Sequence, residues 1–560
     1  MHSASNSLSV DRRDLLLALA ATGIGTEVFH RALATQQADK PTDRNAVLTP
    51  EAIQQAEWVA GITLSEADRK SVLGLLRRFH QGAARLRAVS LDNAVPLPLV
   101  FQPAGELPPG ERTGTVESTD PGPAARPSDD DLAFLSVAQL AALLRTRKVS
   151  SVELTRLYLR RLTQFDPLLQ CVVTLTEKTA LEQAERADRE IAAGRYRGPL
   201  HGIPWGAKDL IAYPGYPTTW GAEAYRDQVL SEKATVAQRL EDAGAVLVAK
   251  LSLGALAQGD RWFKDRQTRN PWDPTRGSSG SSAGSASAVA AGLVGFAIGS
   301  ETLGSIVSPS RECGTTGLRP TFGRISRHGC MTLCWSMDKL GPMARSVEDC
   351  ALIFGAIHGR DGRDASAVDR PFSWPLRRPL NTLRVGYFKN RTSKATLDVL
   401  GKELKVQLVP IELPSKYPVN ELTVILHAEA AAVFDEFTRQ GKDIPASWKN
   451  SFQAGLFVSA STYLRANRVR ALVMREMAQV MEQVDLYVGG DDLVLTNFTG
   501  HPCVVLPSGV MRRGKSEVLS TITFTGRLFG ETELLAVAHA FQRAGGFHLR
   551  RPNLPAVGGK

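Results

Sequence analysis

Between Gly277 and Gly292 no side chain is larger than valine: Gly277-Ser278-Ser279-Gly280-Ser281-Ser282-Ala283-Gly284-Ser285-Ala286-Ser287-Ala288-Val289-Ala290-Ala291-Gly292. Such a run can be a flexible linker, a phosphate-cradling loop, or a turn that opens a helix. The Ala-rich second half consists of strong helix formers and leads directly into the apolar run Phe296-Ala297-Ile298, which argues against a free linker. A phosphate loop would require a Gly-Lys-Ser/Thr ending, and none is present. The segment therefore reads as a turn entering a helix that is followed by a strand.

The surrounding pattern agrees with that order. Short apolar runs, Ala245 to Ala249, Phe296 to Ile298 and Cys503 to Leu506, alternate with helical patterns such as Thr235 to Ala243 and Val347 to His358. Strands that are apolar on both faces imply an α/β domain with a largely covered central sheet. The domain is expected from Leu132 to about residue 555, and Ser150 with Glu153 forms a capping box before Leu154, Leu157, Tyr158 and Leu162. Ahead of it, Thr49-Pro50-Glu51 and Ser65-Glu66-Ala67-Asp68 each open a helical pattern, giving a small helical extension over 35–101. Residues 102–131, rich in Pro, Gly, Asp and Glu, are expected to be a disordered linker. No solenoid repeat is visible.

The chain has 560 residues, 43% hydrophobic and 22% charged, enough apolar material for a sizeable core. The formal net charge is +10, but basic and acidic residues alternate, so clusters such as Arg77-Arg78 and Arg550-Arg551 read as solvated surface rather than a nucleic-acid footprint. Six scattered cysteines lack CxxC spacing and read as core thiols, although an exported protein could pair some of them and the sequence leaves that pairing open. At the start, Arg12-Arg13, an apolar run through Ile24 and Ala32-Leu33-Ala34 form an export signal over 1–34 that resembles a twin-arginine (Tat) signal. This implies export, with the periplasm as the destination.

Three segments carry chemistry: His201-Gly202-Ile203-Pro204-Trp205-Gly206-Ala207-Lys208-Asp209, the small-residue run, and Gly299-Ser300-Glu301-Thr302-Leu303-Gly304-Ser305-Ile306. Together they resemble the amidase-signature family. The likeness continues through Arg269-Asn270-Pro271-Trp272, Gly317-Leu318-Arg319-Pro320-Thr321, Ser336-Met337-Asp338, Gly341-Pro342-Met343 and Asn497-Phe498-Thr499-Gly500-His501-Pro502. It implies a central mixed sheet with helices on both faces and a triad of lysine, serine after a cis peptide bond, and nucleophilic serine. By position these are Lys208, Ser281 and Ser305. Gly-Ser-Ser occurs twice; Ser281 is preferred because it runs into Ala288-Val289-Ala290-Ala291-Gly292 in the family's register, whereas Ser278 would need three inserted residues.

A serine hydroxyl needs a base to attack a carbonyl. An exposed lysine, with a pKa of about 10.4, is protonated at neutral pH; burial lowers that value and frees the lone pair. Backbone N–H groups of Thr302, Leu303, Gly304 and Ser305 are the oxyanion donors that the resemblance implies. Three residues depart from the family pattern: Leu303 stands where glycine is usual, Glu301 where aspartate is usual, and Val307 where an arginine often follows the nucleophile. Leucine keeps its N–H but would be strained if the turn demanded positive φ. Trp220 and Tyr225 are candidates for the cleft wall, His427-Ala428-Glu429 lacks a second histidine for metal hydrolysis, and Asp338 and Arg345 read as scaffold.

The expectation is a serine amidohydrolase acting through an acyl-enzyme, with a small-molecule amide as partner. Neither cofactor, metal nor nucleic acid is expected, no stable membrane span should remain once the signal is removed, and assembly as a homodimer stays open. Two rivals stand beside it: the glutaminase (A) subunit of a tRNA-dependent amidotransferase, and a non-catalytic binding protein on the same fold.

Overall fold

The computed structural model describes residues 48–91, 99, 113–441, 444–490, 492–514 and 516–554. The export signal expected over 1–34 lies outside them. The described residues divide into two compact units, one ending at Arg78 and one beginning at Phe79.

In the first unit, α1 (Pro50–Ala60) starts where the sequence places it: Ala52 N–H donates to Thr49 Oγ1 at 3.3 Å, and Pro50 fills the first turn. Helix α2 (Glu66–Ala88) is capped by Ser65 Oγ, which accepts from Asp68 N–H at 3.1 Å. The unit boundary falls inside α2.

In the second unit, α3 (Val137–Arg145) and α4 (Ser151–Leu169) are both closed by capping boxes, the latter by Ser150 and Glu153. They are followed by α5 (Thr235–Asp242), α6 (Ala283–Ala290), α7 (Val307–Cys313), α8 (Val347–Ile357), α9 (Ala460–Gln483) and α10 (Glu531–Gly545). Around them runs one sheet of eleven strands: β1 (Val172–Leu175), β2 (Pro204–Lys208), β3 (Val246–Leu251), β4 (Phe296–Glu301), β5 (Thr316–Arg319), β6 (Lys339–Ala344), β7 (Arg384–Tyr387), β8 (Gln407–Pro410), β9 (Leu486–Val488), β10 (Cys503–Arg513) and β11 (Ser516–Gly526). Their order is β1-β3-β2-β4-β6-β5-β10-β11-β9-β7-β8. The sheet is mixed: β3-β2-β4 and β9-β7-β8 pair in parallel, and the other neighbours are antiparallel.

Both faces are covered, which is why the strands read as continuous apolar runs. Trp205, Leu247, Phe296 and Ile298 pack into one core with α3, α5, α8 and α10. Val246, Val248, Ala249 and Ala297 point the other way, into a second core with α4 and α6. Trp205 and Phe296 pair across β2 and β4 and stack with ring centroids 6.1 Å apart. All eight residues of α6 are buried, so the small-residue run lies inside the domain.

The expected linker over 102–131 needs correction where it is described. From residue 113 the backbone pairs with the domain: Phe372 N–H donates to Thr113 O (3.1 Å), Trp374 N–H to Thr115 O (2.8 Å) and Glu117 N–H to Trp374 O (2.9 Å). Val116 packs against the core, and Thr119 N–H donates to the Glu348 carboxylate. Low apolar content did not predict order because backbone pairing, rather than side-chain burial, supplies most of the attachment. Residues 102–112 lie outside the described residues. Among the described residues no helix is long and apolar enough to cross a membrane.

Candidate active site

Strand β2 delivers Lys208 at its C-terminal end, between two parallel neighbours. None of the Lys208 surface is exposed. Its Nζ lies 2.8 Å from Ser281 Oγ, 3.1 Å from Ser282 Oγ, 2.9 Å from Ser300 Oγ and 3.3 Å from the Ser300 carbonyl. Burial brings the amine down to about 7, against the opposing pull of Asp338 and Glu301, which favour the cation. The next residue, Asp209, is buried too; its Oδ1 pairs with Lys250 Nζ at 2.7 Å and its Oδ2 accepts from Thr219 N–H at 2.9 Å, pinning the chain just past β2.

The three hydroxyls are not equivalent. Ser282 Oγ donates to the Ser300 carbonyl at 3.1 Å and accepts from Ser300 N–H at 3.1 Å, so its proton is committed. Ser281 Oγ has Lys208 as its hydrogen-bond partner among the described residues, and its proton can be passed on. The Gly280–Ser281 peptide bond is cis. Glycine is required at 280 by close approach, because a Cβ there would sit 1.7 Å from the Gly259 carbonyl oxygen. The other candidate, Ser278, is fully buried, its Oγ donates to the Ser279 carbonyl at 3.0 Å, and the hydroxyls around Lys208 Nζ are those of Ser281, Ser282 and Ser300.

Ser305 sits, partly buried, in the turn between β4 and α7. Its carbonyl accepts from Ser282 N–H at 3.1 Å, which ties the two serine turns together. The left-handed residue of this turn is Gly304, at φ 94°; Leu303 is not among the residues of positive φ, so the strain the sequence raised for leucine does not arise. The Leu303 side chain instead packs against the hydrophobic cluster that includes Phe498 and Leu495. Backbone N–H groups of Thr302, Leu303, Gly304 and Ser305 have no backbone acceptor among the described residues, whereas Ile306 and Val307 N–H both bind Glu301 Oε2, at 2.9 and 3.0 Å. Glu301 Oε1 accepts from Arg319 Nη1 and Asn497 Nδ2, each at 2.8 Å. Burial would raise this carboxyl, but Arg319 and Lys339 outweigh it and hold it at about 2.

Sequence reading passed over Ser282 and Ser300, and it left Asp338 as scaffold. Asp338 Oδ1 accepts from Thr302 Oγ1 at 2.6 Å and Oδ2 from Leu333 and Cys334 N–H at 2.8 and 2.9 Å, which fastens the turn after β4 to the loop before β6. The signal was Asp338 standing next to Lys339, a pair of charges opening an otherwise apolar strand. Arg345 is structural as read, its Nη1 donating to the carbonyls of Val289 and Val294 at 3.3 and 3.2 Å. His427 lies against Phe79, with the rings tilted at 52° and their centroids 5.1 Å apart.

A cleft of about 610 Å³ opens beyond the Lys208 loop, walled by Trp220, Tyr225, Cys330, Met331, Phe434 and Phe437. Its wall is connected to the site by backbone: Trp220 N–H donates to Asp209 O at 3.2 Å, and Met331 N–H to Leu210 O at 3.0 Å. Trp220 and Tyr225 ring centroids are 4.5 Å apart. Lys208, Ser281 and Ser305 do not themselves line it.

The sequence profile of the amidase family matches residues 153–489. The A subunit of glutamyl-tRNA(Gln) amidotransferase from Moorella thermoacetica is 32% identical over 490 residues, covering 76% of this chain and 99% of that protein. Among solved structures, the native peptide amidase from Stenotrophomonas maltophilia shares 29% identity at a TM-score of 0.64, over 74% of this chain and 98% of its own. A peptide amidase in complex with the competitive inhibitor chymostatin shares 29% identity at a TM-score of 0.65, over 76% and 100% of the two chains. A profile match over most of the chain and a relative 32% identical over nearly its whole length place the chain in the amidase-signature family, and it is an amidase, a hydrolase of amide C–N bonds.

Proposed function

We propose that Ser305 is the nucleophile of this amidase, that Ser281 carries protons and that Lys208 is the base which receives them. Ser305 Oγ bonds to the amide carbonyl carbon while its proton moves to Ser281 and the Ser281 proton moves to Lys208 Nζ. The tetrahedral oxyanion is met by N–H groups among those of Thr302, Leu303, Gly304 and Ser305. As the C–N bond breaks, the Lys208 proton returns through Ser281 to the departing nitrogen, leaving an acyl-enzyme that water cleaves by the same path. The observation that carries this reading is a fully buried amine, brought to about 7, 2.8 Å from a hydroxyl with no other partner among the described residues.

The aromatic walls of the cleft beside Trp220 favour an amide with an apolar or aryl portion. Export rests on the Arg12-Arg13 signal, with cleavage after Ala34. The test is turnover of aliphatic, aryl and peptide amides by purified mature protein. Aryl amides are expected to lead, and kcat/KM should rise with pH through about 7 as Lys208 loses its proton. Lys208→Ala and Ser305→Ala should each lose roughly 10⁴-fold or more in kcat, and a fluorophosphonate should label Ser305. Near-normal turnover by Lys208→Ala would remove the base.

A second reading follows from the likeness to the amidotransferase of Moorella thermoacetica: glutamine hydrolysis that supplies ammonia to partner subunits. It requires glutamine as the preferred substrate and copurifying partners, and the export signal argues against it because aminoacyl-tRNA is cytoplasmic.

A further inference from the structure

Glu301 closes strand β4, and none of its surface is exposed. A carboxylate taken out of water must be matched by donors. Four converge on this one. Oε1 takes Arg319 Nη1 and Asn497 Nδ2, both at 2.8 Å; Oε2 takes Ile306 and Val307 N–H at 2.9 and 3.0 Å. The last two belong to the residues that directly follow Ser305. On its other side the turn is held by Ser282 N–H, donating to the Ser305 carbonyl at 3.1 Å. The turn is thus gripped from the Ser281 side and from Glu301, and Arg319 in turn is anchored by donating from Nη2 to the His501 carbonyl at 2.9 Å.

We infer that Glu301 is a positioning residue for the nucleophile: its carboxylate holds the turn carrying Ser305 in register with Ser281 and Lys208. With valine at 307, no cation within the turn serves this carboxylate; Arg319, reaching across from β5, does so instead. The extra methylene of glutamate over aspartate gives the carboxylate its reach from the end of β4 to the first turn of α7. The charges involved are few. Arg319 and Lys339 face Glu301, and Asp338 and Glu301 both favour the cationic form of Lys208.

The inference rests on Ser305 being the nucleophile, and the experiment separates the two. In Glu301→Gln the side chain keeps its length but loses its charge and turns a donor toward Arg319 or Asn497. Its kcat should fall at least tenfold with KM held within about threefold, and fluorophosphonate inactivation of Ser305 should slow in parallel. The acid limb of its kcat/KM profile should move to lower pH, because an anion that favoured the Lys208 cation is gone. Glu301→Asp keeps the charge, so its acid limb should stay in place while kcat remains low for want of reach. Asn497→Ala removes one neutral donor; kcat should fall about threefold with the pH profile unchanged. Wild-type kcat in Glu301→Gln, or losses that follow only the folded fraction measured by circular dichroism, would overturn the inference. Should Glu301→Gln fail to fold, wild-type kcat and labelling rate in Asn497→Ala would overturn it as well. A dead Ser305→Ala beside a fully active Glu301→Gln would sink this inference alone, whereas an active Ser305→Ala would sink the nucleophile with it.

Discussion

A lysine with no exposed surface costs free energy in its charged form, and Lys208 meets that cost by giving up its proton at a lower pH. In the unfolded chain it titrates near 10.4, and in the folded protein at about 7. Between those values the unfolded state binds the extra proton, so folding stability rises with pH. Lys208→Met, apolar and of similar length, lacks this term. The stability of wild type relative to Lys208→Met should therefore improve from pH 7 to 9, by up to about 1.4 kcal/mol per unit. Urea denaturation of both proteins measures it, and a flat difference would mean that the amine is not neutralised by burial. At this scale the sequence was informative about Lys208, Ser281 and Ser305, because each stands in a local motif. It was silent about Ser282, Ser300 and the anchoring by Glu301 and Asp338, because those roles depend on which carbonyls and N–H groups arrive from other elements.

Helix ends were legible for the same local reason. Ser150 Oγ accepts from Glu153 N–H at 3.1 Å and Glu153 Oε2 from Ser150 N–H at 2.8 Å, so both halves of that capping box are present. Ser150→Ala should cost about 1 kcal/mol of stability, read as a lower urea midpoint at unchanged denaturant dependence, with turnover per folded molecule untouched. Strands were caught only where both faces are apolar. Cys503 to Leu506 announced β10, but the strand continues to Arg513 and turns back as β11, through residues such as Arg512 and Glu517 whose polarity hides the pairing. The segment from 113 to 119 was missed for the opposite reason: it is held by backbone hydrogen bonds that composition does not display.

For the whole molecule, the α/β class and the covered sheet followed from the alternation of apolar runs with helices, while the strand order did not, since β6 lies beside β4 and β10 beside β5 through long-range pairing. The thiols show the same limit. Six scattered cysteines left pairing open, and all six are free, five of them buried, with Cys330 partly accessible in the cleft wall. A thiol reagent should find at most one slowly reacting group in the native protein and six after denaturation, with no change on prior reduction. Fast reaction of several thiols, or fewer than six without reductant, would contradict that packing.

Lys208 and Glu301 both lie at the C-terminal ends of β2 and β4, neighbours in parallel pairing, so the spacing between the buried amine and the carboxylate that holds the Ser305 turn is fixed by the rungs of the sheet. The walls of the cleft come from elsewhere, from segments around 220–232, 329–332 and 433–440. Preference for one compound over another can therefore drift in evolution, or be retooled at the bench, by exchanging those segments while the reactive geometry keeps its spacing.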